Sequence, residues 1–400
     1  MDYLRFIVAN RHFLAFGLAM MAFSSFGQTY YISLFGADLR AVFDLSHGDL
    51  GLYYSVATLA SGIAMLWVGR LVDRIGLRAL SIGICLGLAV ACLSMAAVSA
   101  AVLLYGVFFL LRLGGQGMMS HTALSSAARH FGADRGKAVS IVALGAPIGA
   151  GLAPVLTVLV VGLIGWRLSW AAAAALLLAA VLPGLLWLLR RSRLSGDEAM
   201  SSAGALLRQW SRAEVLRDPR FYLIAPSVVA SSYIITGLFF HQAHIAATKG
   251  WSLAWLATCY LGYAVATVLA ALAVGPLVDR FSANRLLPFY LAPLALTLLA
   301  LLASDHAAAA LVYLTLCGIA TGTSQTVVNA LWAEIYGVRH LGAIRALAFS
   351  LNIVASALSP FSLGWLIDRG VSVDSIVLGC LGYVAVASLL LVPAIKPRER

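Results

Sequence analysis

A chain of 400 residues has the length of two or three soluble domains, but 62% of it is hydrophobic and only 11% is charged, which excludes ordinary globular usage. The formal charge of +11 suggests nucleic acid only until the basic residues are placed. Of 27, 22 fall in segments on the N-terminal side of a membrane, four (Arg40, Arg167, Lys249, Arg369) on the far side, and Arg112 inside a span. That bias is the positive-inside rule, so the basicity reports topology, both termini are expected in the cytoplasm, and no nucleic-acid partner is implied.

A membrane-crossing helix needs about 20 predominantly apolar residues. Twelve stretches qualify, near 13–35, 50–69, 79–98, 101–128, 138–162, 168–189, 221–246, 252–277, 286–303, 307–333, 342–366 and 373–394. The spacing predicts an all-α integral membrane protein: a six-helix bundle over 1–189, a cytoplasmic linker over 190–220 and a second six-helix bundle over 221–400. The two halves share one plan. GRLVDRIGLR at 69–78 returns as GPLVDRFSANR at 275–285, a shift of 206; Gly132 in ARHFG matches Gly337 in AEIYG at 205, and Pro154 matches Pro360 at 206.

The first span is too long for a signal core of about 7–15 residues and reads as a retained helix. Helical spacing puts Ser24, Gln28 and Tyr31 on one face, with Gln28 roughly midway along, as a candidate for lining a cavity. In the polar loop that follows, SHGDL has the form of a helix N-cap. The second span ends in the repeated motif, where Asp73 stands among Arg70, Arg74 and Arg78, with Gly69 and Gly76 allowing close approach and a tight turn. Asp279 and Arg280 repeat it after Gly275. A solvated charge is the plain reading of one such Asp. Its repetition suggests a latch in which Asp73 faces the start of the eleventh span near Arg345, and Asp279 the start of the fifth near Arg135 and Lys137.

These residues resemble the signature of the major facilitator superfamily, G-x-x-x-D-R-x-G-R-[KR]: Gly69, Asp73, Arg74, Gly76 and Arg78 match, with Leu77 at a usually basic position and Ser282 for Gly in the second copy. The resemblance covers essentially the whole chain. It implies two pseudo-symmetric bundles around a central cavity, inverted three-helix repeats within each, and alternating access by rocking of the halves.

In the fourth span, Arg112 falls near the middle of the membrane, where a charge costs about 2.5–3.5 kcal/mol or more. No Asp or Glu is available to meet it, since all 16 acids lie in loops or at the ends of spans. Gln116, four residues on, is expected to share its face. Arg112, Gln116 and Gly117 resemble the family's R-x-x-x-Q-G motif. Arg112 reads either as a structural Arg bonded to main-chain carbonyls or as a functional one that receives an anionic substrate or takes part in proton coupling. His121, nine residues on, lies on the opposite face. The fifth span, with Gly145, Pro147, Gly149 and Gly151, partly resembles the antiporter pattern G-P-x-x-G-G, with Ala146 and Ala150 departing from it.

The linker carries an amphipathic patch of Leu206, Leu207, Trp210, Val215 and Leu216 and reads as a tether. In the seventh span, His241 and His244 are three apart on one face. They lack a third ligand for a metal, so no metal is expected. They are the leading titratable groups for proton coupling, with cross-helix bonding as the alternative. Tyr260 and Tyr263 share a face in the eighth span; Thr321, Gln325 and Asn329 form a stripe in the tenth, and Asn352, Ser356 and Ser359 another in the eleventh. Such residues glue helices or serve a ligand. Cys85, Cys92, Cys259, Cys317 and Cys380 all fall within spans and read as small apolar fillers.

No P-loop, metal cluster or nucleophile elbow is visible, so neither an enzyme nor a cofactor is expected. The sequence predicts a monomeric secondary transporter of the inner (plasma) membrane. Its expected cargo is a small organic anion such as a monocarboxylate, entering with a proton. The chain diffusely resembles the monocarboxylate-porter-like branch. Proton-driven export of drugs or metabolites, and sensing without transport, are the rival readings.

Overall fold

The computed structural model describes residues 3–192, 210, 212–337 and 341–394; Leu206 and Leu207 of the linker patch and the last basic residues, 396–400, lie outside them. Among the described residues the chain is helical, without strands. Ten helical stretches are long and apolar enough to cross a membrane, and a shorter apolar helix joins them.

Contacts divide the chain into two compact units, Met1–Leu45 with Leu52–Ser201, and Ser46–Gly51 with Ser202–Arg400. The first is built from α1 (Tyr3–Phe23), α2 (His47–Val68) from Leu52 onward, α3 (Leu77–Ala97), α4 (Ala101–His130) and α5 (Arg135–Arg191). α5 holds both the fifth and the sixth predicted spans, reversing at Gly165, whose φ of 76° and ψ of 167° no helical residue adopts. Within the unit, α1 packs on α4 and on α5, and α3 packs on α5. Its core is large and apolar, with Phe16, Met20, Phe108 and Trp170 fully enclosed. Leucines on the outside remain bare, Leu163 being 83% exposed. Lipid, not water, accounts for such a surface.

Two expectations change here. The first span is not one helix over 13–35: α1 runs from Tyr3 to Phe23, followed by a 3-10 turn, Ser24–Gly27, an extended Gln28 and a one-turn helix, Thr29–Ile32. Gln28 therefore does not share a helical face with Ser24 and Tyr31. The SHGDL segment does cap α2: Ser46 Oγ accepts from the Asp49 amide at 3.0 Å, and the Asp49 carboxylate accepts from the Ser46 amide at 3.1 Å.

The second unit contains α6 (Pro219–Phe240), α7 (Leu253–Phe281), α8 (Ala292–Ala303), α9 (Ala307–Tyr336), α10 (Leu341–Asp368) and α11 (Val373–Ala394). α6 opens on a cap, the Asp218 carboxylate accepting from the Arg220 amide, with Pro219 in the first turn, where its missing N–H costs nothing. The longest shared seam joins α7 to α9, while α6 packs on α10 and α11. The predicted ninth span, 286–303, shrinks to the 12 residues of α8 after a run of turns. Pro288 explains it, since a proline inside a helix removes a donor and clashes with the preceding turn. The described end of the linker packs on this unit: Trp210 lies 5.4 Å from Tyr336, ring to ring, and Val215 is buried.

Candidate functional site

The site in the first unit starts from the interruption of α1. Ser24 and Ser25 turn their hydroxyls back to the carbonyls of Met21 and Ala22, at 2.7 and 2.6 Å. Gln28 is extended, with φ −87° and ψ 151°. Here α1 meets α4 without side chains between them: a Cβ on Gly27 would run into the Leu111 carbonyl and the Gln116 amide, and one on Gly115 would lie 2.7 Å from the Gly27 Cα. Only two glycines facing each other allow this approach.

Irregular backbone inside a membrane needs partners within the protein. Arg112 is one of them. Its Nη1 donates to the Gly27 carbonyl at 3.1 Å and reaches Thr29 Oγ1 at 3.5 Å. Thr29 Oγ1 lies 2.8 Å from the Tyr54 hydroxyl, and the guanidinium sits 5.2 Å from the centre of the Tyr54 ring. Arg112 is only 3% exposed, its Nε is buried without an acceptor, and among the described residues no carboxylate pairs with it. One hydrogen bond to a charged group contributes about 1.5–3 kcal/mol and a cation–π contact about 0.5–2. Those terms hold the charge in place without neutralising it.

The predicted helper is not there. Residues Arg112–Met119 wind as a π-helix, and the Gln116 side chain is exposed while Arg112 is buried. Neither Gln116 nor Gln28 bonds to Arg112 among the described residues. The residues that do, Thr29 and Tyr54, carry no mark in the linear sequence beyond the Ser-Ser-Phe-Gly run that breaks α1. Tyr31 is buried in an aromatic cluster, 5.1 Å from Phe26 and 5.3 Å from Trp170 between ring centres. His121 is exposed and lies against Gly69.

In the second unit a cluster gathers where α6 gives way to a short helix, Gln242–Thr248. His241, at the junction, is buried with its Nε2 2.9 Å from the Pro360 carbonyl. Gln242 accepts from the Tyr260 hydroxyl at 2.8 Å, a pairing the sequence did not suggest. Tyr263 reaches Thr321 at 3.4 Å. His244 stands 4.5 Å, ring to ring, from His47 in the segment Ser46–Gly51 of this unit. Of the two stripes, Gln325 and Asn329 are exposed. Asn352 donates to the Ala348 carbonyl of its own helix, and Ser359 donates to the Tyr233 carbonyl of α6 at 2.6 Å.

The repeated motif takes two forms. In the first copy α2 ends at Val68, Leu71–Arg74 makes one turn, and Gly76 leads into α3; Arg74 and Arg78 are exposed. Asp73 is held by Arg129 of α4 at 2.6 Å. In the second copy α7 continues through Gly275, Asp279 and Arg280 to Phe281, and Arg280 lies over the Phe281 ring. Ser282 then adopts φ 70° and ψ 150°, a conformation suited to glycine. Glu334 of α9, at the position that the 205-residue shift pairs with Arg129, accepts from the amides of Ala283 and Asn284 at 2.8 and 3.1 Å. A basic residue holds an acid in one copy, and an acid holds backbone amides in the other.

Among solved structures, a bacterial homologue of the human lysosomal transporter Spinster, in an inward-facing unoccupied conformation, is 13% identical with a TM-score of 0.66, covering 97% of this chain and 94% of its own. A point mutant of the nucleoside transporter NupG is also 13% identical, with a TM-score of 0.75 and coverage of 96% and 100%. At that identity the likeness concerns the fold. No curated protein sequence matches the chain. The family model of the Major Facilitator Superfamily matches residues 14–342 and 224–400. With its twelve predicted spans, its duplicated loop motif and this match, the chain belongs to the Major Facilitator Superfamily of membrane transporters.

Proposed function

We propose that this transporter, working by alternating access, takes up a small organic anion such as a monocarboxylate together with a proton, across the inner membrane, as a monomer with both termini in the cytoplasm. The observation that carries the reading is Arg112, a buried cation with one nitrogen unpartnered and, among the described residues, no carboxylate paired with it. A carboxylate ligand would supply the missing counter-charge, and a planar guanidinium fork suits it. His241 and His244 are the groups we assign to proton coupling, since imidazole is the side chain that titrates near neutral pH. A proton entering with the anion makes the cycle electroneutral.

Uptake of radiolabelled monocarboxylates into proteoliposomes tests this. The expected result is accumulation driven by an acidic exterior, abolished by a protonophore and by Arg112→Ala. Accumulation that ignores the pH gradient, or that survives in Arg112→Ala, overturns the proposal.

A further inference from the structure

The first turn of α2 is seated on the end of α10 by one carboxylate and by bare backbone. Asp368 accepts from the His47 amide at 2.9 Å and from the Gly48 amide at 2.7 Å, two of the donors that a helix N-terminus leaves without an intrahelical partner. Beside that cap the two segments touch with no side chain between them: a Cβ on Gly51 would strike the Pro360 carbonyl, and one on Gly364 the His47 carbonyl. Glycine at both positions permits the approach. The seat has no slack, so a shift of the His47 backbone loosens the cap and the close contact together. All of these residues belong to the second unit.

The His47 ring stands 4.5 Å from that of His244, edge to face, and 5.9 Å from that of His241. His47 and His244 are half-buried and so within reach of water, whereas His241 is enclosed, with its Nε2 2.9 Å from the Pro360 carbonyl. The other charges at this end of the unit are engaged locally: Asp49 accepts from the Ser46 amide, Arg369 lies 3.6 Å from the centre of the Trp365 ring, and Lys249 bridges Asp305 and Asp374. An imidazole ordinarily takes up its proton near about pH 6.5. One positive charge on the pair is offset by Asp368; a second sets like charges side by side, which disfavours the arrangement that brings the rings together. That repulsion acts on the residue whose amide Asp368 holds. We propose that His47 and His244 form an acid-released latch: the first turn of α2 stays seated on α10 while the pair carries at most one proton, and a second proton unseats it. The latch deepens the proton-coupling reading of His244, adds His47 to it, and owes nothing to the anion reading of Arg112.

The test is amide hydrogen exchange of the segment Ser46–Gly51 in the full-length protein in nanodiscs, at about pH 7.5 and about pH 5, corrected for the pH dependence of chemical exchange. Protection of the segment is expected to fall at least about tenfold at the lower pH, while α7 and α9 keep theirs. His47→Gln and His244→Gln each remove one charge of the pair and should leave the segment protected at both pH values; either variant suffices if the other does not fold. Asp368→Ala should leave the segment exchanging fast at both. Equal protection of the natural protein at the two pH values overturns the latch. A fall that persists in both histidine variants also overturns it, by assigning the effect to Asp368, and a fall that vanishes in His241→Gln overturns it by moving the switch to His241. Protection that survives Asp368→Ala at the higher pH overturns the seat itself. No substrate or flux enters these readings, so they are separate from the uptake test: uptake that follows the pH gradient with no change in exchange overturns the latch and leaves proton coupling standing.

Discussion

Arg112 is the residue on which the proposed anion reading rests, and its surroundings define what replacing it should do. A lysine keeps the charge but cannot span the Gly27 carbonyl and a ligand with a planar fork. Arg112→Lys should therefore retain measurable anion binding about 10-fold to 100-fold weaker than the natural protein, the loss of one charge-assisted hydrogen bond; affinity equal to the natural protein contradicts the fork. Gly149→Ala tests packing instead, since its methyl group would enter the space of Ser25 and the Ala22 carbonyl. Overpacking of this kind costs about 1–3 kcal/mol, read as a lower melting temperature in detergent. Arg112 was legible because a lone charge in an apolar run is conspicuous. Tyr54 and Thr29 were not, because nothing in one strand of sequence tells which face of one span meets which residue of another. Gln116 fails for the same reason: spacing relates it to Arg112 but does not say which side chain the neighbouring spans cover, and the structure leaves Gln116 exposed while it buries Arg112.

At the level of elements, the hinge after α7 combines a strained residue with a carboxylate that holds it. Ser282 occupies backbone space that costs a non-glycine residue about 1–3 kcal/mol. Ser282→Gly should raise the melting temperature, and Glu334→Ala should lower it by removing the partner of the Ala283 and Asn284 amides. If Glu334 is what maintains the strain, Glu334→Ala costs less in the Ser282→Gly background; equal costs in both would disconnect the two. A second fastening lies beyond α6, where Lys249, almost entirely enclosed, bridges Asp305 at 2.7 Å and Asp374 at 2.9 Å. Burial works to lower the Lys249 pKa, but hydrogen bonding to and attraction from the two carboxylates outweigh it, so the net shift is upward from 10.5. A raised lysine pKa stabilises the fold below the ordinary value and ceases to do so as pH rises through the folded one. The melting temperature of the natural protein should thus fall above about pH 10.5 more steeply than that of Lys249→Met. Parallel curves would show that the bridge carries no weight. Element positions were largely readable from apolar length, and errors came at prolines and serines: Pro288 shortened α8, and the Ser24–Ser25 pair, bonding to its own backbone, helped to end α1 early.

On the scale of the whole molecule, duplication was the most legible feature, because the motif copies, the glycine ends of α4 and α9, and Pro154 with Pro360 recur at an offset of 205 or 206. The exchange of Arg129 for Glu334 shows what a repeat can hide: the same structural position keeps a holding role while its charge and its partner change. Orientation is testable in the natural chain because its five cysteines are all buried. Asp305→Cys should react with a membrane-impermeant maleimide on intact cells, and Arg78→Cys only after permeabilisation; the reverse pattern inverts the topology.

The 12 residues of α8 bear on the membrane itself. At 1.5 Å per residue they span about 18 Å, well short of a hydrocarbon layer of about 30 Å. The turns before α8, with Phe289 bare at 69% exposure, must make up the difference or the lipid must thin around them. Bilayer thickness thereby becomes a variable of the protein, and turnover in vesicles of short-chain phosphatidylcholine should exceed that in long-chain ones.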